Sequence, residues 1–144
     1  KGNNMRSATV PLLLGLCATA FAEPGTPPEF LGDWVPRTAT CQSQLRFRVE
    51  AQRVVLVNHT QSTSFGNLNF CYSCEGGAGY SGKVVWMMAE FGGQTAPPLT
   101  AQFNAGEKSG VAVLEIEKPD LKRQFPLHRI ALRRCVQKGS LPAR

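Results

Sequence analysis

The sequence contains few of the residues on which common enzyme classes depend. Only two histidines occur among 144 residues, His59 and His128, and they are not spaced as a metal-binding pair. A Gly-x-Ser-x-Gly nucleophile motif is also absent. The sequence therefore predicts a protein that is not an enzyme, with no catalytic residues, no metal site and no cofactor. We interpret His128 as a structural residue on an inner strand face.

Two further absences limit the range of partners. After the first 22 residues there is no apolar run of the about 20 residues that a helix needs to cross a bilayer. The basic residues near the C-terminus have no aromatic residues between them, although single-stranded nucleic acids are bound by such stacking side chains. The sequence predicts no transmembrane segment and no nucleic-acid partner, and it leaves the oligomeric state open.

The N-terminal region has the pattern of a secretory signal peptide. A positive start at Met5-Arg6 is followed by an apolar run over residues 8–20 without an acidic residue. Ala20-Phe21-Ala22 has the small-x-small form of a signal-peptidase site. We expect residues 1–22 to comprise upstream residues and a signal peptide, with cleavage after Ala22. The predicted location is the bacterial periplasm or the extracellular medium.

Four cysteines follow the signal peptide, and an even number in an exported chain indicates two disulfides. Three pairings are possible, and we expect Cys71–Cys74 and Cys41–Cys135. Cys41 follows the first predicted strand and Cys135 ends the last, which are neighbours in a closed barrel. Redox activity and zinc binding are alternatives for Cys71 and Cys74. Glu75 and the glycines after it do not favour the helix that lowers the pKa of a catalytic thiol.

Alternating apolar and polar residues predict an all-β domain. Eight antiparallel strands with short links favour a small closed barrel, which leaves no exposed edges, and a two-sheet sandwich is the alternative. The most apolar strand, over residues 80–91, is expected to be covered on both faces. Residues 58–64 are predicted to be turn-like, and one helical turn is predicted at Pro119. The predicted strands are residues 30–36, 45–50, 54–57, 65–70, 80–91, 99–104, 111–116 and 127–135.

These patterns also define the predicted domain organisation. Residues 23–29 contain three prolines and a glycine and are expected to form an extended, mobile leader. Residues 30–136 form a single β domain, and residues 137–144 form a flexible basic tail. The chain has a formal net charge of +6, and from Lys118 to Arg144 it carries eight Lys or Arg residues and one acid.

The Gly32-x-Trp34 motif at the start of the first strand resembles the signature of lipocalin and calycin barrels. In that family the tryptophan closes one end of the barrel and packs against an arginine from the last strand. The resemblance implies this role for Arg134, which we place on one inward face with Ile130 and Leu132. It also implies a compact exported barrel, similar to the small calycin-like inhibitors of bacterial proteases.

Taken together, these features predict an exported, disulfide-stabilised binding module of the cell envelope. It would hold a small apolar ligand, or inhibit or dock an unknown partner protein. The predicted contact residues are Tyr72 and Tyr80 on the loop, and Trp86 and Met88 on the apolar strand. One alternative is a thiol-disulfide enzyme or another envelope enzyme that uses Cys71 and Cys74. A second is an adaptor that binds an acidic surface through the basic C-terminal strand.

Overall fold

The described chain forms nine short strands and one short helix. The computed structural model describes residues 25–90 and 96–135. Two 3₁₀ turns, Pro28–Phe30 and Ala105–Glu107, accompany the strands. The helix α1 spans Pro119–Gln124. The strands are β1 Gly32–Pro36, β2 Leu45–Val49, β3 Val54–Asn58, β4 Gln61–Phe65, β5 Asn69–Cys71, β6 Val85–Ala89, β7 Leu99–Phe103, β8 Val111–Ile116 and β9 Ala131–Arg134.

All nine strands belong to one antiparallel sheet in the order β4-β3-β2-β1-β9-β8-β7-β6-β5. The sheet curls into an open half-barrel, with β4 and β5 at its two edges. The first and last strands are neighbours, as the sequence predicts, and Trp34 pairs with Arg134. The expectation of a closed eight-stranded barrel is wrong, because β4 and β5 are not paired and the strand number is nine.

The additional strand comes from a polar segment. Residues 58–64 were predicted to be turn-like, but Gln61–Phe65 pairs along its whole length with β3. The turn is confined to His59 and Thr60, and His59 adopts a positive φ of 55°. Most β4 side chains are exposed on both faces, so no apolar alternation marks the strand. The predicted strand over residues 65–70 is divided at Gly66, where the chain leaves β4 and proceeds to β5.

Strand β6 is covered on one face only, contrary to the prediction that both its faces are covered. Val85, Met87 and Ala89 are buried, whereas Trp86 and Met88 between them are half-buried on the convex face. The alternation has a period of two, as in a strand with one solvated face. The apolar run therefore provides both a core face and part of the outer surface.

The last strand is shorter than predicted, and one of its expected inward residues lies outside. Leu132 is fully buried, but Ile130 is 36% exposed. Arg129 has a positive φ of 56°, which interrupts the extended backbone just before β9 begins. A single parallel bridge between Leu114 and His128 holds the preceding segment. Ile130 therefore does not share the alternation of the strand.

Large apolar side chains occupy the concave face of the half-barrel. The ring of Phe30 stacks on that of Phe103 with centroids 4.3 Å apart. Trp34 lies 5.3 Å from the same ring, and Phe47 lies 6.4 Å from it. These four aromatic residues belong to one continuous cluster with the buried aliphatic residues of the other strands. Burial of this face is the main stabilising contribution to the fold.

Part of the predicted N-terminal leader packs against the sheet. The Thr26 backbone N–H donates to the Ala51 carbonyl at 3.0 Å, and Thr26 is buried. The 3₁₀ turn Pro28–Phe30 places Phe30 in the core. At the other end, α1 begins at Pro119 as predicted and is followed by buried Phe125. None of the helices in residues 25–90 and 96–135 is long and apolar enough to cross a bilayer.

Candidate functional site

The loop between β5 and β6 connects the edge strand β5 to its neighbour in the sheet. Residues 72–79 are exposed, and Tyr72, which is 58% exposed, is the most exposed large apolar residue within residues 25–90 and 96–135. Cys71 and Cys74 lie at disulfide distance, with Cα atoms 5.6 Å apart. Residues 74–76 form a turn rather than the start of a helix. The bridge therefore closes a tight ring at the base of the loop and places Tyr72 within it.

Glu75 attaches the loop to the convex face of the sheet. Its Oε2 atom accepts a hydrogen bond from Trp86 Nε1 at 2.9 Å and another from Gln102 Nε2 at 3.0 Å. Trp86 and Gln102 are directly opposite each other on β6 and β7, and Cys71 is opposite Trp86 on β5. One carboxylate thus connects the loop to two strands. Hydrogen bonds to an ionised acceptor are stronger than those between neutral groups.

Tyr80 holds the far end of the loop. Its hydroxyl donates to Glu107 Oε1 and accepts the Val84 N–H at 3.0 Å. Glu107 Oε2 also accepts the Lys83 N–H at 2.8 Å. Hydrogen bonds from Tyr80 and Lys83 hold the pKa of Glu107 below its ordinary value. Burial, followed by the bond to Glu107, raises the pKa of Tyr80. Tyr80 therefore anchors the loop within the chain, and its predicted contact with a partner stays a prediction.

Trp86 and Met88 lie on the convex face beside the loop. The two side chains are two residues apart on β6 and point to the same side of the sheet. Across β7 and β8, the same row as Trp86 contains Gln102 and half-buried Val113. The indole N–H of Trp86 donates to Glu75, and the residue is half-buried. The structure therefore groups Trp86 and Met88 with the loop that carries Tyr72.

The second disulfide lies at the middle of the sheet. Cys41 and Cys135 have Cα atoms 5.6 Å apart and are separated by 94 positions in the sequence. Arg133 donates to the Ala39 carbonyl at 2.7 Å and contacts Cys41 Sγ at 3.5 Å. The bridge joins the link after β1 to the end of β9. Both cysteine pairs expected from the sequence are therefore at bonding distance.

A carboxylate and two guanidinium groups lie on the same convex face near this bridge. Asp33 accepts from Arg48 Nε at 2.8 Å and from Arg46 at 3.1 Å. Burial would raise the pKa of Asp33, but the hydrogen bonds and positive charges of Arg48 and Arg46 outweigh it and lower that pKa. The basic residues of β2 are therefore partly neutralised within the sheet.

Trp34 and Arg134 together hold the N-terminal 3₁₀ turn over the core. Trp34 Nε1 donates to the Phe30 carbonyl at 2.9 Å, and Arg134 donates to the Glu29 carbonyl at 2.6 Å. Gly32 precedes Trp34 with a φ of 118°, in the region that favours glycine, and an added Cβ would lie 3.9 Å from Arg134 Nε. This end of the half-barrel is therefore covered by the turn itself.

His128 contacts the backbone of β8. Its Nδ1 atom accepts the Ile116 N–H at 3.0 Å, which requires the ring nitrogen to be unprotonated. Burial, together with the positive charges of Lys122 and Arg129, lowers the pKa of His128. The neutral imidazole satisfies a strand N–H, which is a structural role.

In comparisons with known proteins, no protein-family model, curated protein or solved structure matches this chain. The resemblance to calycins therefore rests on Gly32, Trp34 and Arg134.

Sequence reasoning did not identify the two glutamates that hold the loop. In the sequence, Glu75 bears only on whether a helix follows Cys74, and Glu107 has no predicted role. Their partners Gln102 and Tyr80 each lie 27 positions away in the sequence. The strand pairing brings these residues together, so no local pattern marks them. The only available signal was an acidic residue inside a glycine-rich loop.

Proposed function

We propose that this protein is an exported binding module that docks a partner protein through the loop between β5 and β6 and the adjacent convex face. The observation that carries the proposal is the exposed Tyr72 side chain in a loop that is fixed at both ends. A fixed loop loses little conformational entropy on binding, and tyrosine provides a large contact area with only two side-chain torsions.

The distribution of apolar side chains supports a protein partner over a small apolar ligand. The concave face, where barrel proteins hold such ligands, is occupied by Phe30, Trp34, Phe47 and Phe103. The convex face near the loop instead presents Trp86 and Met88, both half-buried. Aromatic residues and methionine are enriched at the centres of protein interfaces. The thiol-disulfide enzyme has less support, because a turn follows Cys74 where catalytic pairs have a helix.

Export is part of the proposal, and it rests on residues 1–22, which lie outside the described residues. Two disulfides are compatible with an oxidising compartment. We expect protein purified from its native host to begin at Glu23, which N-terminal sequencing measures directly. A mature chain that retains Met5 would contradict the export proposal.

Replacing Tyr72 with alanine is expected to weaken partner binding by about 30-fold, equivalent to the ~2 kcal/mol of an interface hot spot. The partner is first captured from an envelope extract with the immobilised wild-type protein and identified by mass spectrometry. Its affinity for wild type and Y72A is then measured by calorimetry. Because Tyr72 is exposed, the denaturant midpoint should not change.

The matched control is Gln61→Ala, which removes an exposed side chain from the edge strand β4. We expect Q61A to bind the partner as tightly as wild type. Equal affinities of wild type, Y72A and Q61A would show that the loop is not the docking site. If Y72A and Q61A weakened binding of the partner by the same factor, that result would also contradict the proposal.

A further inference from the structure

Strand β4 forms an edge of the sheet, and its backbone presents hydrogen-bonding groups to the outside. The turn between β3 and β4 has two residues, so Asn58 and Gln61 form a hydrogen-bonded pair, and such pairs alternate along an antiparallel ladder. The backbone groups of Ser62 and Ser64 therefore point away from β3. Within the described part of the chain, no backbone hydrogen bond from another element reaches them.

The unpaired stretch of this edge is bounded at one end. The Gly66 carbonyl, the next outward group after Ser64, accepts the Glu90 N–H at 2.9 Å. Glu90 has a positive φ of 55°, so the extended backbone of β6 ends at this contact. The unpaired stretch is therefore β4 itself, with the outward groups of Ser62 and Ser64 on either side of its central residue, Thr63.

Strand β4 lacks several features by which natural proteins protect a sheet edge. Such features include charged side chains, proline, a β-bulge and a very short strand. The sequence of β4 is Gln-Ser-Thr-Ser-Phe, without charge or proline, and its five residues pair with β3 in a register that has no bulge. The other edge strand, β5, has only three residues. Strand β4 is therefore the edge better suited to pair with a further strand.

We propose that β4 pairs with β4 of a second copy of this chain, antiparallel about a two-fold axis at Thr63. In this register Ser62 of each copy faces Ser64 of the other, and each such pair exchanges both backbone hydrogen bonds. Thr63 faces its own counterpart. Threonine and serine residues opposite each other are favourable cross-strand pairs. The proposal goes beyond the docking function and uses a different part of the molecule.

The side chains on and beside β4 favour a second copy over a different protein. In strand addition the partner is selected by pockets for its side chains, and Ser62 and Ser64 are short and exposed, which gives little basis for selecting a different sequence. An uncharged strand also meets its own copy without like charges facing each other, although the whole chain carries a formal charge of +6. Val55 and Val57 lie opposite the two serines on β3 and are half-buried, so pairing extends an uncharged convex surface across both copies.

The test is sedimentation velocity of the purified protein at increasing concentration. We expect reversible dimers over a range of about 10 µM to 1 mM, because an interface limited to one strand belongs to the small, transient class. Hydrogen exchange of the Ser62 and Ser64 amides should slow as the dimer forms, because these N–H groups become bonded. A monomer throughout this range would overturn the proposal.

Paired charges locate the contact. S62K/S64K places lysine opposite lysine across the axis, and S62E/S64E does the same with glutamate, so each variant alone should dimerise about tenfold more weakly. An equimolar mixture of the two should regain dimers that contain one copy of each, because every lysine then faces a glutamate. The control S81K/S109K adds the same charge at exposed serines outside the edge and should dimerise like wild type.

The same variants provide the contrary outcomes. Because Ser62 and Ser64 are exposed, the denaturant midpoints of both double variants at low concentration should match that of wild type. Full dimerisation of S62K/S64K, or no recovery in the mixture, would overturn the proposal. Slowed exchange at the two serine amides that appears only when the captured docking partner is added would assign the edge to that protein and also overturn self-pairing.

Discussion

Replacing Trp34 with alanine is expected to lower the free energy of unfolding by about 3–5 kcal/mol, as for truncation of a large core residue. Trp34 is 1% exposed and contacts the Phe103 ring. Its loss also removes the hydrogen bond that holds the Phe30 carbonyl. The effect is measured by urea unfolding followed by circular dichroism, since tryptophan fluorescence changes with the mutation itself.

The second tryptophan provides the control. Trp86→Ala removes the same side chain from the half-buried convex face, and we expect it to cost about 1–2 kcal/mol, mainly from partial burial and the bond to Glu75. Trp34→Phe keeps most of the packing but removes the indole N–H, so it isolates the hydrogen bond to Phe30. A loss below ~1 kcal/mol for W34A would contradict the structural role of Trp34 in this core.

Removing the Cys41–Cys135 bridge by a double change to serine is expected to lower the free energy of unfolding by about 4–5 kcal/mol. In the chain-entropy model the stabilisation grows with the length of the closed loop, and this bridge spans 94 positions. Urea unfolding of wild type and C41S/C135S, both without reductant, measures the difference. Reduced wild type should be at least as unstable as the double variant.

The shorter bridge is the matched control for this prediction. Cys71 and Cys74 are only three positions apart, so C71S/C74S should cost about 2 kcal/mol in the same model. Non-reducing peptide mapping of the wild type checks both pairings. If the two double variants lost equal stability, or if mapping joined Cys41 to Cys71 or Cys74, the assigned roles of the bridges would be wrong.

The strands that sequence reasoning identified share one physical property. Strands β2, β7 and β8 each have one buried and one wetter face, so burial imposes an apolar residue at every second position. Strand β4 has no such constraint, because most of its side chains are exposed and it is held mainly by backbone bonds to β3. The composition of β4 therefore resembles that of a turn, and missing this strand gave a predicted count of eight strands where the structure has nine.

In the candidate site, too, local features could be predicted from the sequence and contacts between distant residues could not. The disulfide ring and the glycine-rich loop are local features, and both are visible in the sequence around Cys71 and Cys74. The anchoring of Tyr80 is not visible in the sequence. It depends on Glu107, which the pairing of β6 with β7 brings beside the loop. Non-local contacts of this kind leave no periodic pattern along the chain.

The position of the last strand has a consequence for the order in which this chain can fold. Strands β1–β4 form one set of consecutive antiparallel neighbours, and β5–β9 form another. Among the described residues, strand pairing joins the two sets only between β1 and β9. Each set can form from local contacts as the chain emerges, because short-range pairings require little loop closure. The full sheet cannot form until β9 is available to pair with β1, so before that point the two sets can exist only as separate half-sheets, each with an exposed apolar face.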